Sequence, residues 1–201
     1  MLPVIALLTL LACDSAEERP LPLVVAGVPI AGAAEGTIDL PVGTPMGGFS
    51  GRAVYLGSDS KPDNRDSAYS TGFVESAGVQ SRPAAKVLWL ENGDKHLVMI
   101  KVDLIYSFDN LVTAVTEQLE QRTGEDLFGS VTIAANHSHN AYGPFSDQFH
   151  FYLGGDRYNE EIFQRLTQIL VDIGLEAYEN RQQASIGTAW VKNWDPDDSV
   201  Y

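Results

Sequence analysis

Two histidines separated by one residue are the strongest chemical signal in the sequence. His137 and His139 come directly after the apolar run 128–135, FGSVTIAA. Side chains alternate between the two faces of a strand, so a strand that continues through residue 139 points both imidazoles to one face. Both rings can then approach one metal ion, or one can bind the ion while the other contacts a substrate. The alternative interpretation is a polar loop whose imidazoles bond to the backbone.

A catalytic zinc ion needs one more protein ligand, because such sites hold three protein ligands and a water. The candidates in this sequence are His150, Asp147 and Asp103. An aromatic-rich stretch around His150 favours a packing or loop role, and the position of His96 after a turn favours a solvated strand residue. Asp103 follows another apolar run, where it can either cap the next loop or orient a ligand imidazole.

The apolar patterns around these residues predict a βαβ unit. In the stretch 85–103, Asn92-Gly93 separates two apolar runs, which is typical of a type I′ hairpin. The second run is nearly continuous and predicts a strand at about 97–103 that is buried on both faces. A helix at about 110–122 and a strand at about 130–136 follow. The two strands are expected to be parallel and adjacent, with their polar ends at one edge of the sheet.

Helix-boundary residues support these assignments. Asp109 or Asn110 can cap the first helix, and Gly124 marks its end. Asn159 precedes a second apolar stripe with helical spacing and predicts a helix at about 160–178.

The remaining segments complete the predicted fold. A strand is expected over 184–191, a glycine-rich loop with unusual backbone angles over 40–52, and a long surface excursion over 56–75. The fold class is therefore α/β, with a mixed sheet that contains the βαβ unit. We expect the domain to be incomplete, with an exposed sheet edge and an exposed apolar face.

Composition excludes some partners. The 201 residues include 13 Lys and Arg against 27 Asp and Glu, a net charge of −14. Nucleic-acid binding needs clustered basic residues, so it is not expected, and broad adsorption to anionic lipid is equally disfavoured. A hydrophobic content of 44% predicts a folded core.

The first residues resemble an export signal. Residues 1–12 are apolar apart from Thr9, and the segment 10–13, which ends at the only cysteine, Cys13, resembles a bacterial lipobox. No Lys or Arg precedes this run, so an ordinary cleaved signal or a buried thiol remain alternatives. The pattern predicts a signal peptide at 1–13, a tether at 14–24 and an α/β domain at 25–201. The protein is then exported, either as a periplasmic or cell-surface bacterial lipoprotein or in secreted form.

Four segments together resemble the N-terminal catalytic region of neutral/alkaline non-lysosomal ceramidases, which are zinc-dependent amidases. These segments are the opening strand and loop at 31–49, the hairpin at 85–105, the strand followed by His-x-His at 131–145, and the last helix with the residues that follow it to 191. They span most of residues 27–192, and the His-x-His segment is the most specific of them.

The resemblance implies roles for individual residues. His137 matches the first zinc ligand of the family. His139 matches a histidine that lies beside the metal and contacts substrate, and Asp103 matches the aspartate at the strand end. Two departures stand out: Asn140-Ala141 replaces Ser-Gly, and the stretch 193–197 lacks the family's arginine. The family's other ligands, a His, a Glu and a Tyr, lie farther downstream than this chain extends.

The function implied by the resemblance is zinc-dependent hydrolysis of the amide bond of ceramide or a related N-acyl lipid, which gives a sphingoid base and a fatty acid. The protein would meet a membrane through its lipid anchor or its substrate. We expect the 201-residue chain alone to be weakly active or inactive. The alternative is a non-catalytic, lipoprotein-anchored binding or structural domain that has lost the complete metal site.

Overall fold

A five-stranded mixed sheet forms the centre of the fold. The computed structural model describes residues 27–54, 67–187 and 189–192, so the predicted signal peptide, the tether and the stretch 193–197 lie outside the described residues. The strands are β1 (Ile30–Thr37), β2 (Ala84–Asn92), β3 (Lys95–Val102), β4 (Val131–Ala135) and β5 (Gln182–Gln183). Their order is β4-β3-β2-β1-β5, in which only β3 and β4 are parallel.

Three α-helices accompany the sheet, which confirms the α/β class. They are α1 (Asp109–Thr123), α2 (Tyr152–Gly155) and α3 (Glu160–Glu179). Two short 3₁₀ helices, Ser50–Arg52 and Phe149–Phe151, lie in the loops. Among the described residues, none of the helices combines the length and apolar character needed to cross a bilayer.

The predicted βαβ unit is confirmed. Chain direction is the same in β3 and β4, with Val102 opposite Ala135, and α1 connects them. Gly124 ends α1 with a φ of +77°, a left-handed angle that favours glycine. The prediction for the start of α1 is wrong, because Phe108 is the N-cap residue and no side chain caps the helix. Asn159 caps α3 as predicted, by accepting a 3.1 Å hydrogen bond from the Ile162 N–H.

The hairpin between β2 and β3 is confirmed, but its turn differs from the prediction. Asn92 pairs with Lys95, which leaves Gly93 and Asp94 as the two loop residues. Of these two, only Gly93 has a positive φ, at +64°. A type I′ turn needs positive φ at both positions, so the predicted turn type is wrong.

Helices α1 and α3 cover one face of the sheet and leave the other exposed. Inward residues of β3, such as Val98 and Ile100, are buried, whereas Leu97 and Met99 are 42% and 44% exposed. The prediction that β3 is buried on both faces is therefore wrong for the described residues. The apolar side chains of the open face are available for a further layer of structure.

Two other predicted segments differ from the structure. The strand expected over 184–191 is wrong for the described residues of that range. The nearest strand, β5, ends at Gln183, and β1 begins at Ile30, so only the hydrogen bond from the Ala184 N–H to the Pro29 carbonyl follows it. The surface excursion expected over 56–75 is wrong for residues 67–75, where Phe73 is 1% exposed. The loop at 40–52 has the unusual backbone angles that were predicted, with φ values of +99° at Gly43 and +102° at Gly48.

Candidate functional site

The ends of β3 and β4 bring the predicted site residues to one edge of the sheet. Backbone pairing continues past both strands, because the N–H of Asn136 bonds to the Val102 carbonyl at 3.2 Å and that of Ser138 bonds to the Leu104 carbonyl at 3.0 Å. Asp103 and the His-x-His segment therefore leave the sheet side by side. Carboxyl ends of parallel strands are a common location of ligand sites in α/β folds.

The two imidazoles converge, although not by the strand geometry predicted from the sequence. β4 ends at Ala135, and His137 has a φ of +62°, in the left-handed region. The strand predicted at about 130–136 is therefore confirmed, but it does not continue through residue 139, which was the condition for alternation to point both imidazoles to one face. The rings nevertheless lie close, with centroids 4.7 Å apart and planes at 78°. A left-handed non-glycine residue costs free energy, and such strain is concentrated at functional sites.

One hydrogen bond fixes the orientation of the His137 ring. Its Nδ1 lies 2.8 Å from the carbonyl oxygen of Ile105. A carbonyl oxygen only accepts, so Nδ1 must carry the proton and donate it. In the neutral tautomer that carries its proton on Nδ1, the lone pair is on Nε2, which is the arrangement found in metal-ligating histidines. His137 is exposed, so an ion can reach it.

His139 has a different environment. Its ring centroid lies 4.4 Å from that of Phe49. The Nδ1 atom is buried and has no hydrogen-bond partner among the described residues. A Cβ atom at Gly48 would lie 2.5 Å from this Nδ1, so only glycine allows the close approach of the loop. A buried polar atom without a partner is unusual in a folded protein and marks this position as one that calls for an explanation.

Arg52 is part of the site, and sequence analysis did not identify it. Its Nη1 donates to the carbonyl oxygen of His139 at 2.6 Å and to that of Gly47 at 3.0 Å. Burial lowers the pKa of the Arg52 guanidinium. The glycine-rich composition of the loop at 40–52 signalled unusual backbone angles, but no local pattern indicates that this loop packs against residues 139 and 140.

Asp103 contacts the backbone and a neighbouring amide. Its Oδ2 accepts from the Ala84 N–H at 2.9 Å, and its Oδ1 accepts from the Asn136 side chain at 2.7 Å. A hydrogen bond from Lys101 lowers the pKa of the Asp103 carboxyl, against the opposing effect of burial. Asp103 therefore fixes the start of β2 and reaches the histidine segment through Asn136, whereas Ile105 orients the His137 ring.

The described residues do not supply a third ligand. Within the described ranges, no group of three or more His, Cys, Asp or Glu side chains could hold a metal ion. Asp147 and His150 therefore do not join the histidine pair. His150 is exposed in the short 3₁₀ helix Phe149–Phe151, with its ring 5.8 Å from that of Phe151, so of the two expected roles the loop role fits.

His96 does not have the solvated position expected from the sequence. Its side chain is 5% exposed. Trp89 Nε1 donates to its Nδ1 at 3.2 Å, and its Nε2 lies 3.2 Å from a carboxylate oxygen of Glu125. The His96 side chain is thus buried and has a structural role. His96 is the second residue of β3, at the opposite end of that strand from the site.

Comparisons with known proteins show a shared fold. No family model matches the chain, and no curated protein matches it. Neutral ceramidase from Pseudomonas aeruginosa is similar in structure, with a TM-score of 0.59 and 20% sequence identity over 77% of this chain. A ceramidase in complex with C2 has a TM-score of 0.58, also at 20% identity over 77% of this chain. This chain spans 22% of the length of each. The described part of the chain therefore has a ceramidase-like fold.

Proposed function

We propose that this chain is the N-terminal portion of a zinc-dependent amidohydrolase that resembles neutral ceramidase. The observation that carries the proposal is the pair of neighbouring imidazoles that follows β4, with ring centroids 4.7 Å apart and with His137 held through Nδ1 by a backbone carbonyl. The ceramidase-like fold supports it. The proposed substrate is ceramide or a related N-acyl lipid, which is cleaved to a sphingoid base and a fatty acid.

His137 would hold the zinc ion through Nε2. When bound, zinc supplies Lewis-acid polarisation of an amide carbonyl and activates water for attack. His139 would either carry the proton from the attacking water to the leaving amine nitrogen or contact the developing oxyanion, both of which are ordinary roles of an imidazole. Asp103 would hold the histidine segment in place through Asn136.

The cellular setting follows from the same proposal. An exported protein with a lipid anchor at Cys13, or one that binds its substrate in the membrane, would meet N-acyl lipids at the bilayer surface. The net charge of −14 makes zwitterionic or neutral lipids the expected surroundings, because anionic lipid would repel the chain.

One observation favours a second candidate function. Within the described ranges, the two histidines have no third ligand. A non-catalytic, lipoprotein-anchored binding or structural domain would need none. The two candidates differ in the reading frame after Tyr201: a continuation that supplies His, Glu and Tyr ligands supports the enzyme, and a stop codon supports the alternative.

Hydrolysis of a fluorescent ceramide tests the proposed function. The assay uses the protein translated from the complete reading frame, together with its His139→Ala and His150→Ala variants. We expect His139→Ala to lower kcat by about 100-fold or more, which is typical for loss of a general acid or base. His150→Ala should retain activity. Equal turnover by the two variants, or no amide hydrolysis by the unsubstituted protein, would contradict the proposal.

The 201-residue chain alone gives a separate expectation. An incomplete ligand set holds zinc only loosely, so we expect weak or no turnover from this chain. Turnover equal to that of the complete protein would show that the described residues already contain a functional site.

A further inference from the structure

We propose that Arg52 is a positioning residue that determines where the His139 imidazole lies. The proposal concerns the location of the ring, and its meaning for catalysis rests on the proposed function. The two histidines of the site are held in different ways, and this difference makes the role of Arg52 testable.

The His139 ring makes few polar contacts of its own. Its Nδ1 is buried without a partner among the described residues, whereas His137 is held directly through its ring by the Ile105 carbonyl. Gly48 and His137 also lie against the His139 ring. Two further supports are its own backbone and the aromatic ring of Phe49 packed against it.

Arg52 contacts both of these supports. One guanidinium nitrogen donates to the His139 carbonyl at 2.6 Å and to the Gly47 carbonyl at 3.0 Å, so it joins the loop between β1 and β2 to the loop after β4. The other lies 3.5 Å from the Asn140 side-chain oxygen. The guanidinium carbon also lies 4.8 Å from the centroid of Phe49, within the range of a cation–π contact.

The backbone of Arg52 is itself firmly held. Its carbonyl accepts from the Val74 N–H at 2.9 Å, and the next residue, Ala53, forms a bridge with buried Phe73. Asp156 fixes this partner loop, because its buried carboxylate accepts from the N–H of Gly72 at 2.9 Å and from that of Phe73 at 3.3 Å. The guanidinium of Arg52 therefore extends from a backbone that is held in place by hydrogen bonds to the neighbouring loop.

A planar guanidinium can bond to two carbonyls from different loops at fixed angles, which an ammonium on a flexible chain does less well. Loss of Arg52 should therefore release the His139 ring and leave the His137 ring in place. A general loss of structure would affect both histidines alike. This difference separates positioning from simple stabilisation.

The test is NMR of the 201-residue chain with labelled histidine and phenylalanine rings. The histidine signals are assigned with His137→Ala and His139→Ala. In the unsubstituted chain we expect a cross-relaxation peak between the His139 and Phe49 rings. In Arg52→Met this peak should be lost, while the Nδ1–H signal of His137, which reports its hydrogen bond to the Ile105 carbonyl, should remain. Arg52→Lys should restore the peak in part. Arg165→Met, which removes an exposed arginine of α3, should change neither histidine.

Two results would overturn the proposal: a His139–Phe49 peak of full intensity in Arg52→Met, or loss of the His137 Nδ1–H signal together with that peak. Zinc content is measured separately. If the protein from the complete reading frame bound no zinc while the 201-residue chain showed the expected NMR changes, the proposed function would be refuted and the role of Arg52 would stand.

Discussion

At the scale of single residues, Gly48 lies so close to His139 that its lack of a side chain shapes the site. Its φ of +102° disfavours any other residue, and a Cβ atom would lie 2.5 Å from one ring atom of His139 and 2.9 Å from a side-chain atom of Ile105. The position is therefore constrained both by its backbone and by its neighbours.

We predict that Gly48→Ala destabilises the chain by at least about 1 kcal/mol, from backbone strain and the displaced imidazole. Urea unfolding measures this change in the free energy of unfolding. The matched control is Gly51→Ala, where an added Cβ meets nothing within 4 Å and the φ is not positive. Equal stabilities of the two variants would show that His139 is not confined as described.

Residue types predicted the histidine pair but not the residues that support it. An apolar run followed by His-x-His is a local pattern, so the sequence analysis placed His137 and His139 at the end of a strand. Arg52 and Phe49 come from a loop about 90 residues earlier, and tertiary packing brings them to His139. The left-handed backbone of His137 was also missed, because only glycine has a strong sequence signal for that conformation.

At the scale of secondary-structure elements, Glu125 connects three parts of the fold. It lies in the loop between α1 and β4, accepts a 2.7 Å hydrogen bond from the Tyr178 hydroxyl of α3, and contacts His96 of β3. The bond from Tyr178 is the main cause that lowers the pKa of the Glu125 carboxyl below its ordinary value of 4.5, assisted by His96 and Arg181.

The lowered pKa of Glu125 determines how the free energy of unfolding changes with pH. A carboxyl whose pKa is lower in the folded state stabilises the fold above its unfolded pKa, and this contribution is lost as the pH falls through the folded value. We predict that Glu125→Gln makes the fall in unfolding free energy below about pH 4.5 less steep than in the unsubstituted chain. Urea unfolding at a series of pH values measures this slope.

Glu179→Gln is the matched control for Glu125→Gln, because Glu179 is an exposed carboxyl at the end of α3. In Glu179→Gln, the free energy of unfolding should change with pH as it does in the unsubstituted chain. If Glu125→Gln gave the same pH slope as Glu179→Gln, the connection through Tyr178 would contribute nothing measurable.

Elements with a regular apolar period were predicted well, and elements that depend on a partner were not. α1, α3, the hairpin and the parallel pair all have clear local patterns. The strand expected over 184–191 needs a neighbouring strand for its hydrogen bonds, and β1 offers one only to Gln182 and Gln183. His96 was predicted to be solvated because its partners, Trp89 and Glu125, belong to other segments of the fold.

At the scale of the whole molecule, one face of the sheet is open. Leu88, Leu97 and Met99 are 38%, 42% and 44% exposed on adjacent strands. A cavity of about 260 Å³ on this face is lined mainly by apolar atoms of β2, β3 and β4. The apolar character of β3 predicted burial on both faces, and the helices of the described chain cover only one of them.

We predict that this face makes the isolated chain self-associate. Replacement of Leu88 and Met99 by threonine keeps β propensity and removes apolar surface, so it should lower the sedimentation coefficient at high protein concentration toward that of a monomer. Leu153→Thr is the control, because it changes an apolar residue of α2 that is 52% exposed. It should leave the sedimentation coefficient unchanged. Identical sedimentation of the double variant and the unsubstituted chain would exclude this face as the cause.

The central claim is that His137 holds a zinc ion, and zinc content measures this most directly. The protein from the complete reading frame is purified without added chelator, and zinc is quantified by mass spectrometry for the unsubstituted protein, His137→Ala and His150→Ala. We predict that the unsubstituted protein and His150→Ala retain zinc, and that His137→Ala binds it at least about tenfold more weakly. Equal zinc in the unsubstituted protein and His137→Ala would contradict the account.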